Sequence, residues 1–271
     1  MKYPTIIYGT AWKEEKTEEC VLTALKLGYQ AIDTANQRKH YCEAAVGRAI
    51  KKSAIPREQL FLQTKFTFLS GQDHRLPYDP KADFKTQVRQ SLQSSLDHLQ
   101  TTYLDSYIFH GPLTWKGLLP GDLEVWREME SLHHEGKIIN LGISNVNIDQ
   151  LKILYEKATI KPAFVQNRCY AEEGWDKEIR EFCFKNNIIY QGFSLLTANR
   201  FVLSKLKEIA ERVQKTPAQI IFRFAQQVGI LPLTGSTSLR HLQEDITLDF
   251  DLDDKEIKYI KRIALALREL H

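Results

Sequence analysis

The chain alternates eight times between short apolar runs and segments with the spacing of amphipathic helices. The apolar runs are rich in β-branched and aromatic residues, which favour strands. Residues 85–99, by contrast, place Val88, Leu92, Leu96 and Leu99 on one helical face, with charged and amide side chains on the others. The eight predicted strands are TIIYG (5–9), QAIDT (30–34), LFLQTKF (60–66), LDSYIFH (104–110), IINLGIS (138–144), AFVQNRC (163–169), IIYQGFS (188–194) and ILPLTG (230–235).

This alternation predicts how the strands pair. Strands that alternate with helices pair in parallel through crossovers, and eight such units predict a closed (β/α)8 TIM barrel, a single α/β domain spanning residues 1–271. An open doubly wound sheet is the alternative, although no glycine-rich phosphate loop follows the first strand. Residues that typically mark helix boundaries agree with the alternation of strands and helices. The predicted helix ends are Gly28, Gly136 and Gly229, and the predicted starts lie near Asp149, Asp176 and Thr216-Pro217.

Composition excludes several classes of protein. Of 271 residues 43% are hydrophobic, and 37 basic against 34 acidic residues give a net charge of +3, too balanced for a broad nucleic-acid or anionic-membrane surface. The four cysteines are scattered, which indicates neither a disulfide framework nor a structural zinc site. No leader-like segment and no window of roughly 18 apolar residues is present. We expect a soluble, cytoplasmic protein, with a monomer as the default.

Polar residues stand where the predicted strands end. Asp33 ends strand two, Lys65 lies at the end of strand three and His110 closes strand four. In a parallel barrel these ends meet at one mouth, and a buried lysine or histidine would be costly in an ordinary core. The pattern therefore predicts a polar site. Its other candidates are Ser144 and Asn145 after strand five, Gln166, Asn167 and Arg168 on strand six, Phe193 and Ser194 on strand seven, and residues 234–238 after strand eight.

Eight segments, in order and at matching spacings, resemble the aldo-keto reductases over nearly the whole chain. A lone IDTA or TKF would be a weak signal, but the set is highly specific. The matching segments are GTAW (9–12), ALKLGYQAIDTA (24–35), EAAVGRAI (43–50), REQLFLQTKF (57–66), SLDHLQTTYLDSYIFHGP (95–112), VWREMESLHHEGKIINLGISN (125–145), FVQNRC (164–169) and QGFSLL (191–196).

The resemblance implies a barrel that binds NADPH or NADH and reduces carbonyls to alcohols. In the family a tyrosine donates a proton to the carbonyl oxygen, and its pKa is lowered by a lysine that is paired with an aspartate. A histidine orients the carbonyl. Asp33, Lys65 and His110 match three of these four catalytic roles by motif.

The same resemblance assigns cofactor contacts. Ser144, Asn145 and Gln166 match the residues that hold the nicotinamide carboxamide, and Phe193 matches the aromatic ring that stacks on the nicotinamide. Leu233 stands where many NADPH-preferring members have lysine, but the following loop could hold a 2′-phosphate at a helix N-terminus, so NADPH is favoured with NADH possible. The other predicted cofactor-binding residues are Ser194, Leu196, Thr234, Gly235, Ser236, Thr237, Ser238, Arg240, Glu244 and Asp245; no metal ligand is predicted.

The tyrosine is where the chain departs from the family pattern. Five residues after Asp33, the usual position, stands Arg38, and restoring the EAAVG match requires two extra loop residues. The available tyrosine is then Tyr41, eight residues after Asp33 and two before Glu43. Either the expanded loop keeps Tyr41 in the site, or Tyr41 only packs at the start of a helix while His40 or water donates the proton.

Compared with typical members, we expect the chain to lack the N-terminal hairpin and the long C-terminal loop, with a last predicted helix in DDKEIKYIKRIALALREL (253–270). The expectation is a more open site, walled by the irregular segment 70–81 and by residues 114–122. Gly111 replaces the tryptophan that often follows the histidine, which widens the mouth further.

Three functions follow from these observations. The first is NAD(P)H-dependent reduction of a small aldehyde or ketone, with Tyr41 as the acid, activated by Lys65 and Asp33. The second is a cofactor-binding relative with redox-neutral catalysis, such as a dehydratase or isomerase, or a sensor or regulatory role. A metal-dependent barrel hydrolase is disfavoured, because only Asp33 and His110 are candidate ligands.

Overall fold

The computed structural model describes residues 3–263. Eight strands alternate with helices along these residues. The strands are β1 (Ile7–Gly9), β2 (Ala31–Asp33), β3 (Phe61–Phe66), β4 (Leu104–Phe109), β5 (Ile138–Ser144), β6 (Phe164–Arg168), β7 (Ile189–Phe193) and β8 (Ile230–Thr234). The α-helices are α1 (Thr17–Lys26), α2 (Glu43–Ser53), α3 (Phe84–Leu99), α4 (Pro120–His134), α5 (Ile148–Lys157), α6 (Lys177–Lys185), α7 (Arg200–Leu203), α8 (Lys207–Val213), α9 (Pro217–Gln227), α10 (Leu239–Ile246) and α11 (Asp254–Arg262).

The strands form a closed parallel barrel in sequence order, β1 to β8. The register aligns Asp33 with Gln63 and Lys65 with Ile108. All eight predicted strands are present, each within two residues of its predicted ends. The (β/α)8 TIM barrel is therefore confirmed, and the open doubly wound sheet is wrong.

Contacts between Cα atoms divide the chain into two compact units, Met1–Val165 and Gln166–His271. The single domain expected for residues 1–271 stays a prediction. Among residues 3–263, none of the helices combines the length and the hydrophobicity of a membrane-spanning segment.

In the first unit, β3 and β4 are buried on both faces, as parallel strands covered by helices require. Every residue of β3 and β4 is buried. Around the strands, α2 packs against α1 and α3. The approach of α2 to α3 is close at Gly47, where an added Cβ atom would lie 2.1 Å from the carbonyl oxygen of His98. Glycine is therefore needed at this crossing.

In the second unit, the residues predicted near helix starts precede α9 and α6. Thr216 caps α9 by accepting a hydrogen bond from the Gln219 amide, with Pro217 in the first helical position, as predicted. Asp176 precedes α6 but does not cap it, because its carboxylate accepts hydrogen bonds from Tyr190 (2.8 Å) and Asn167 (3.0 Å).

The remaining boundaries are close to prediction. In the first unit α5 begins after Asn147, which caps it, so Asp149 lies inside the first turn. Gly28, Gly136 and Gly229 follow α1, α4 and α9 in the left-handed conformation predicted for helix ends. The C-terminal helix is observed as α11, and the part of its prediction after residue 263 lies outside the described residues.

Candidate active site

An ion pair between β2 and β3 forms the base of the candidate site. The Lys65 ammonium donates hydrogen bonds to both carboxylate oxygens of Asp33, each at 2.6 Å, and to the Thr34 carbonyl at 2.8 Å. Asp33 is 3% exposed and Lys65 is 1% exposed. Burial lowers the pKa of Lys65, and the Asp33 carboxylate opposes that shift. Two charges that would be costly alone are thus paired.

The alternation of β3 determines which side chains reach this pair. Successive side chains of a strand point to opposite faces, so Gln63 and Lys65 share a face with Thr67, which follows the strand. Gln63 donates a hydrogen bond to Asp33 at 2.7 Å. Thr64 points the other way, and its hydroxyl donates to Glu43 of α2 at 2.5 Å.

Tyr41 lies beside the ion pair. The Lys65 Nζ atom is 5.4 Å from the centroid of the Tyr41 ring, within cation–π range. The Tyr41 and His110 rings meet edge to face, with centroids 6.3 Å apart and an interplanar angle of 69°. The structure therefore brings Asp33, Tyr41, Lys65 and His110 together, although Tyr41 precedes α2 by two residues.

The charge environment of Tyr41 differs from the family expectation. Burial raises the pKa of the Tyr41 phenol, and the Asp33 carboxylate adds to that increase. The Lys65 ammonium makes its hydrogen bonds to Asp33 and Thr34, and none to the Tyr41 hydroxyl. The expected lowering of this pKa is thus absent, and the phenol keeps its proton at neutral pH.

His110 is an uncharged imidazole at neutral pH. Burial lowers its pKa to about 3, and the charges of Lys65 and His40 act in the same direction. Its Nδ1 atom is 2.6 Å from the hydroxyl oxygen of Thr67. The amide nitrogen of Asn145 donates to the His110 carbonyl oxygen at 2.8 Å.

Side chains from the segment after β3 hold the expanded loop after β2. Gln72 donates to the Asn36 carbonyl at 2.8 Å, and Arg75 donates to the Arg38 carbonyl at 2.7 Å. In the other direction Gln37 donates to the Gly71 carbonyl at 2.7 Å. Three bonds to backbone atoms thus fix the loop just before Tyr41.

The segment after β1 holds the same loop. The Trp12 amide donates to the His40 carbonyl at 2.8 Å, and the two rings lie 3.6 Å apart, centroid to centroid. Trp12 adopts a φ of 60° and is 69% exposed. A left-handed tryptophan is strained, so the surrounding contacts must hold it.

The first unit also contains Ser144 and Asn145, the predicted carboxamide holders, after β5. Asn145 adopts a φ of 54° and directs its amide nitrogen to the His110 carbonyl and the Ser144 hydroxyl. Its amide oxygen makes no hydrogen bond to another described residue. A carboxamide NH2 group could donate to that oxygen, so this acceptor fits a nicotinamide.

In the second unit, Gln166 is buried and donates a hydrogen bond to Gln191 at 2.9 Å. Phe193 is half-buried, and the guanidinium of Arg168 lies 5.4 Å from its ring centroid. Ser194 follows β7 with a φ of 57°, and Leu196 is half-buried two residues later. Phe193 therefore already has a cationic neighbour where stacking on the nicotinamide was expected.

The segment after β8 leads into the N-terminus of α10. Ser238 caps this helix, and its own amide donates to the Ser236 hydroxyl at 3.1 Å. Exposed Arg240 lies in the first turn, with a Glu244 carboxylate oxygen 3.5 Å away. Hydroxyl groups, helix amides and a guanidinium are donors suited to a phosphate, so this segment fits the 2′-phosphate of NADPH. Gly235 and Thr237 are exposed beside them.

Asp245 has a role inside its unit. It is 2% exposed and accepts a hydrogen bond from the Thr234 hydroxyl at 2.6 Å. Burial raises the pKa of Asp245 to about 6. This bond ties α10 to the end of β8.

Sequence reasoning missed Gln63 and Thr67, which bond to Asp33 and His110. The two-residue period of QTKFT was the available signal, since it places both on the face of Lys65. Within residues 3–263, no group of three or more His, Cys, Asp or Glu side chains is placed to hold a metal ion.

Comparison with known proteins agrees with this geometry. The profile described as "Aldo/keto reductase family" matches residues 5–265. The glyoxal reductase of Bacillus subtilis is 31% identical over 244 residues, which cover 89% of this chain and 81% of that protein. The NADPH-dependent alpha-keto amide reductase of Saccharomyces cerevisiae is 29% identical over 95% of this chain and 85% of its own length.

A solved structure is similar to this chain in both fold and sequence. The aldo-keto reductase from a Medee basin deep-sea metagenome library superimposes with a TM-score of 0.83 at 28% identity. The match covers 96% of this chain and 91% of that chain.

Proposed function

The chain belongs to the aldo/keto reductase family, and from this premise we propose that it reduces a small aldehyde or ketone to an alcohol with NADPH. The observation that carries the proposal is the buried Asp33–Lys65 pair beside Tyr41 and His110. The names of the glyoxal and alpha-keto amide reductases point to compact carbonyls with a neighbouring carbonyl group. NADH remains an alternative hydride donor.

A nicotinamide cofactor, when bound, supplies the hydride that the carbonyl carbon accepts. Tyr41 donates its phenolic proton to the carbonyl oxygen, so that the C=O group becomes an alcohol and water later restores the proton. Because the phenol keeps its proton at neutral pH, the acid is present in the form that reduction needs. The Lys65 ammonium stabilises the phenolate that remains, and His110 orients the carbonyl oxygen.

The proposed cofactor contacts follow the family assignment. Ser144 and Asn145 are assigned to the carboxamide, together with Gln166, and Phe193 to the nicotinamide ring. Asp245 is assigned through its bond to Thr234. The remaining assigned residues are Ser194, Leu196, Gly235, Ser236, Thr237, Ser238, Arg240 and Glu244.

One observation favours the second candidate, a cofactor-binding protein with redox-neutral or sensor activity. No hydrogen bond joins the Tyr41 hydroxyl to Lys65 in the described part of the chain, so the ammonium does not promote proton release directly. Such a protein would still bind the cofactor through the same residues. It would differ by leaving carbonyls unreduced.

Measurements of cofactor binding and of turnover distinguish the two candidate functions. Quenching of protein fluorescence by NADPH and by NADH measures binding, and absorbance at 340 nm, the NADPH band, follows turnover. The carbonyl panel comprises glyoxal, methylglyoxal, an α-keto amide, aromatic aldehydes and quinones. The proposal expects binding with oxidation of the cofactor by at least one small dicarbonyl. Binding without turnover on the whole panel would support the second candidate.

A further inference from the structure

Thr67 makes a side-chain contact with the candidate active site that the family assignment does not use. Its hydroxyl oxygen lies 2.6 Å from Nδ1 of His110, and the residue is 6% exposed. Thr67 comes two residues after Lys65, so the strand alternation directs both side chains to the same side. The contact therefore links the ends of β3 and β4.

The direction of this hydrogen bond follows from the available partners. A neutral imidazole carries one N–H group and one acceptor nitrogen, and a hydroxyl has one hydrogen to donate. The Thr67 hydroxyl has no other acceptor among residues 3–263, so its hydrogen is satisfied only if it points to Nδ1 of His110. A buried hydroxyl without an acceptor would be costly. Nδ1 is then the acceptor, and the proton lies on Nε2.

Packing holds the Thr67 hydroxyl in place. Gly71 faces the Thr67 methyl group so closely that an added Cβ atom would lie 2.6 Å from Cγ2. The Thr67 carbonyl accepts hydrogen bonds from Tyr78 at 2.8 Å and from Gln72 at 3.3 Å. Because threonine is β-branched, fixing its methyl group and backbone also fixes its hydroxyl.

We propose that Thr67 is a positioning residue that donates to Nδ1 of His110 and keeps the imidazole proton on Nε2. Nε2 makes no hydrogen bond to another described residue, so its N–H group is available to a ligand. A carbonyl oxygen accepts from an N–H but not from an unprotonated nitrogen. The substrate step rests on the proposed reductase function, whereas the tautomer itself does not.

The charges around His110 agree with a neutral ring. The Lys65 ammonium and His40 face it, and both disfavour a second proton; Tyr41 approaches it edge to face. The Thr67 hydroxyl therefore controls the tautomer of the His110 ring and not its charge. Once Nε2 carries the proton, the ring can serve as a donor without becoming cationic.

Four variants test this assignment by nuclear magnetic resonance. Long-range 1H–15N correlations of the His110 ring distinguish Nε2–H from Nδ1–H, and a His110→Asn variant identifies its signals. The wild type and Thr67→Ser should show Nε2–H. Thr67→Val, of nearly the same shape, should show a mixture of tautomers. Thr64→Val is the matched control, since it removes a buried hydroxyl on the opposite face of β3, and should leave the His110 pattern unchanged.

Kinetic measurements with a carbonyl that the wild type reduces complete the test. Thr67→Val should lower kcat/KM about ten-fold, the effect of one lost hydrogen bond. Thr67→Ser, which keeps the hydroxyl, should have the wild-type kcat/KM. The Nδ1–H tautomer in the wild type, or an unchanged ring in Thr67→Val, would overturn the proposal. A tautomer change in protein that reduces no carbonyl would contradict the reductase function and leave the hydrogen-bond assignment intact.

Discussion

The Lys65 ammonium lies 5.4 Å from the centre of the Tyr41 ring while it donates both of its shortest hydrogen bonds to Asp33. Tyr41 therefore meets the cation through its ring face. The expanded loop keeps the tyrosine beside the lysine, but the ion pair beneath it is complete without the phenol. Three parts of this arrangement make separate predictions.

The buried ion pair predicts strong coupling between Asp33 and Lys65. Asp33→Asn or Lys65→Met alone should each lower the free energy of unfolding by about 3 to 5 kcal/mol, because a buried charge loses its partner. The double variant should lose much less than the sum of the two. Urea denaturation measures all four proteins, and strictly additive losses would show that the two groups are not paired. Arg212→Ala, which removes the ion pair between a solvent-exposed guanidinium and Glu256, should leave the free energy of unfolding close to the wild-type value.

The low pKa of His110 predicts acid sensitivity. The unfolded chain takes up a proton on this residue near pH 6.5, whereas the folded chain does so only near pH 3. Its contribution to stability is thus complete above pH 6.5 and is lost as the pH falls toward 3. At pH 5 the loss should be about 2 kcal/mol relative to pH 8. Denaturation at several pH values should show a shallower dependence for His110→Asn; parallel curves would refute the assignment.

The bond from Arg75 to the Arg38 carbonyl predicts that Arg75 limits motion of the expanded loop. The Tyr41 amide is protected by its hydrogen bond to the Gln37 carbonyl, so hydrogen exchange reports local opening. Arg75→Ala should speed exchange of this amide about five-fold, the effect of one weak hydrogen bond. The remote Arg212→Ala variant is the control. Equal exchange in wild type and Arg75→Ala would mean that other contacts hold the loop.

The barrel could be predicted because its signals are local. Each strand is a nearly continuous apolar run, and Gly28 and Thr216-Pro217 mark helix boundaries through their own backbone preferences. Asp33, Lys65 and His110 were predictable because the end of a parallel strand fixes where its side chains lie. The helix start near Asp176 was also predictable, but the absence of a side-chain cap was not, because the Asp176 carboxylate accepts a hydrogen bond from Tyr190 instead.

The position of Tyr41 could not be deduced from its spacing. Loop bonds from Gln72 and Arg75, more than thirty residues away along the chain, place this part of the molecule. The pKa of the phenol was likewise beyond sequence reasoning, because it depends on burial and on which atoms Lys65 contacts. Thr67 was missed for a similar reason, since its partner lies on the next strand.

The role of Tyr41 as proton donor is tested by the single-turnover rate of Tyr41→Phe with NADPH and a dicarbonyl that the wild type reduces. If Tyr41 donates the proton, the rate should fall by about 10² to 10⁴ while NADPH binding stays unchanged. Tyr103→Phe, whose ring packs under Arg57 4.1 Å away, should keep the wild-type rate. A Tyr41→Phe variant that retains the wild-type rate would show that Tyr41 is not the proton donor.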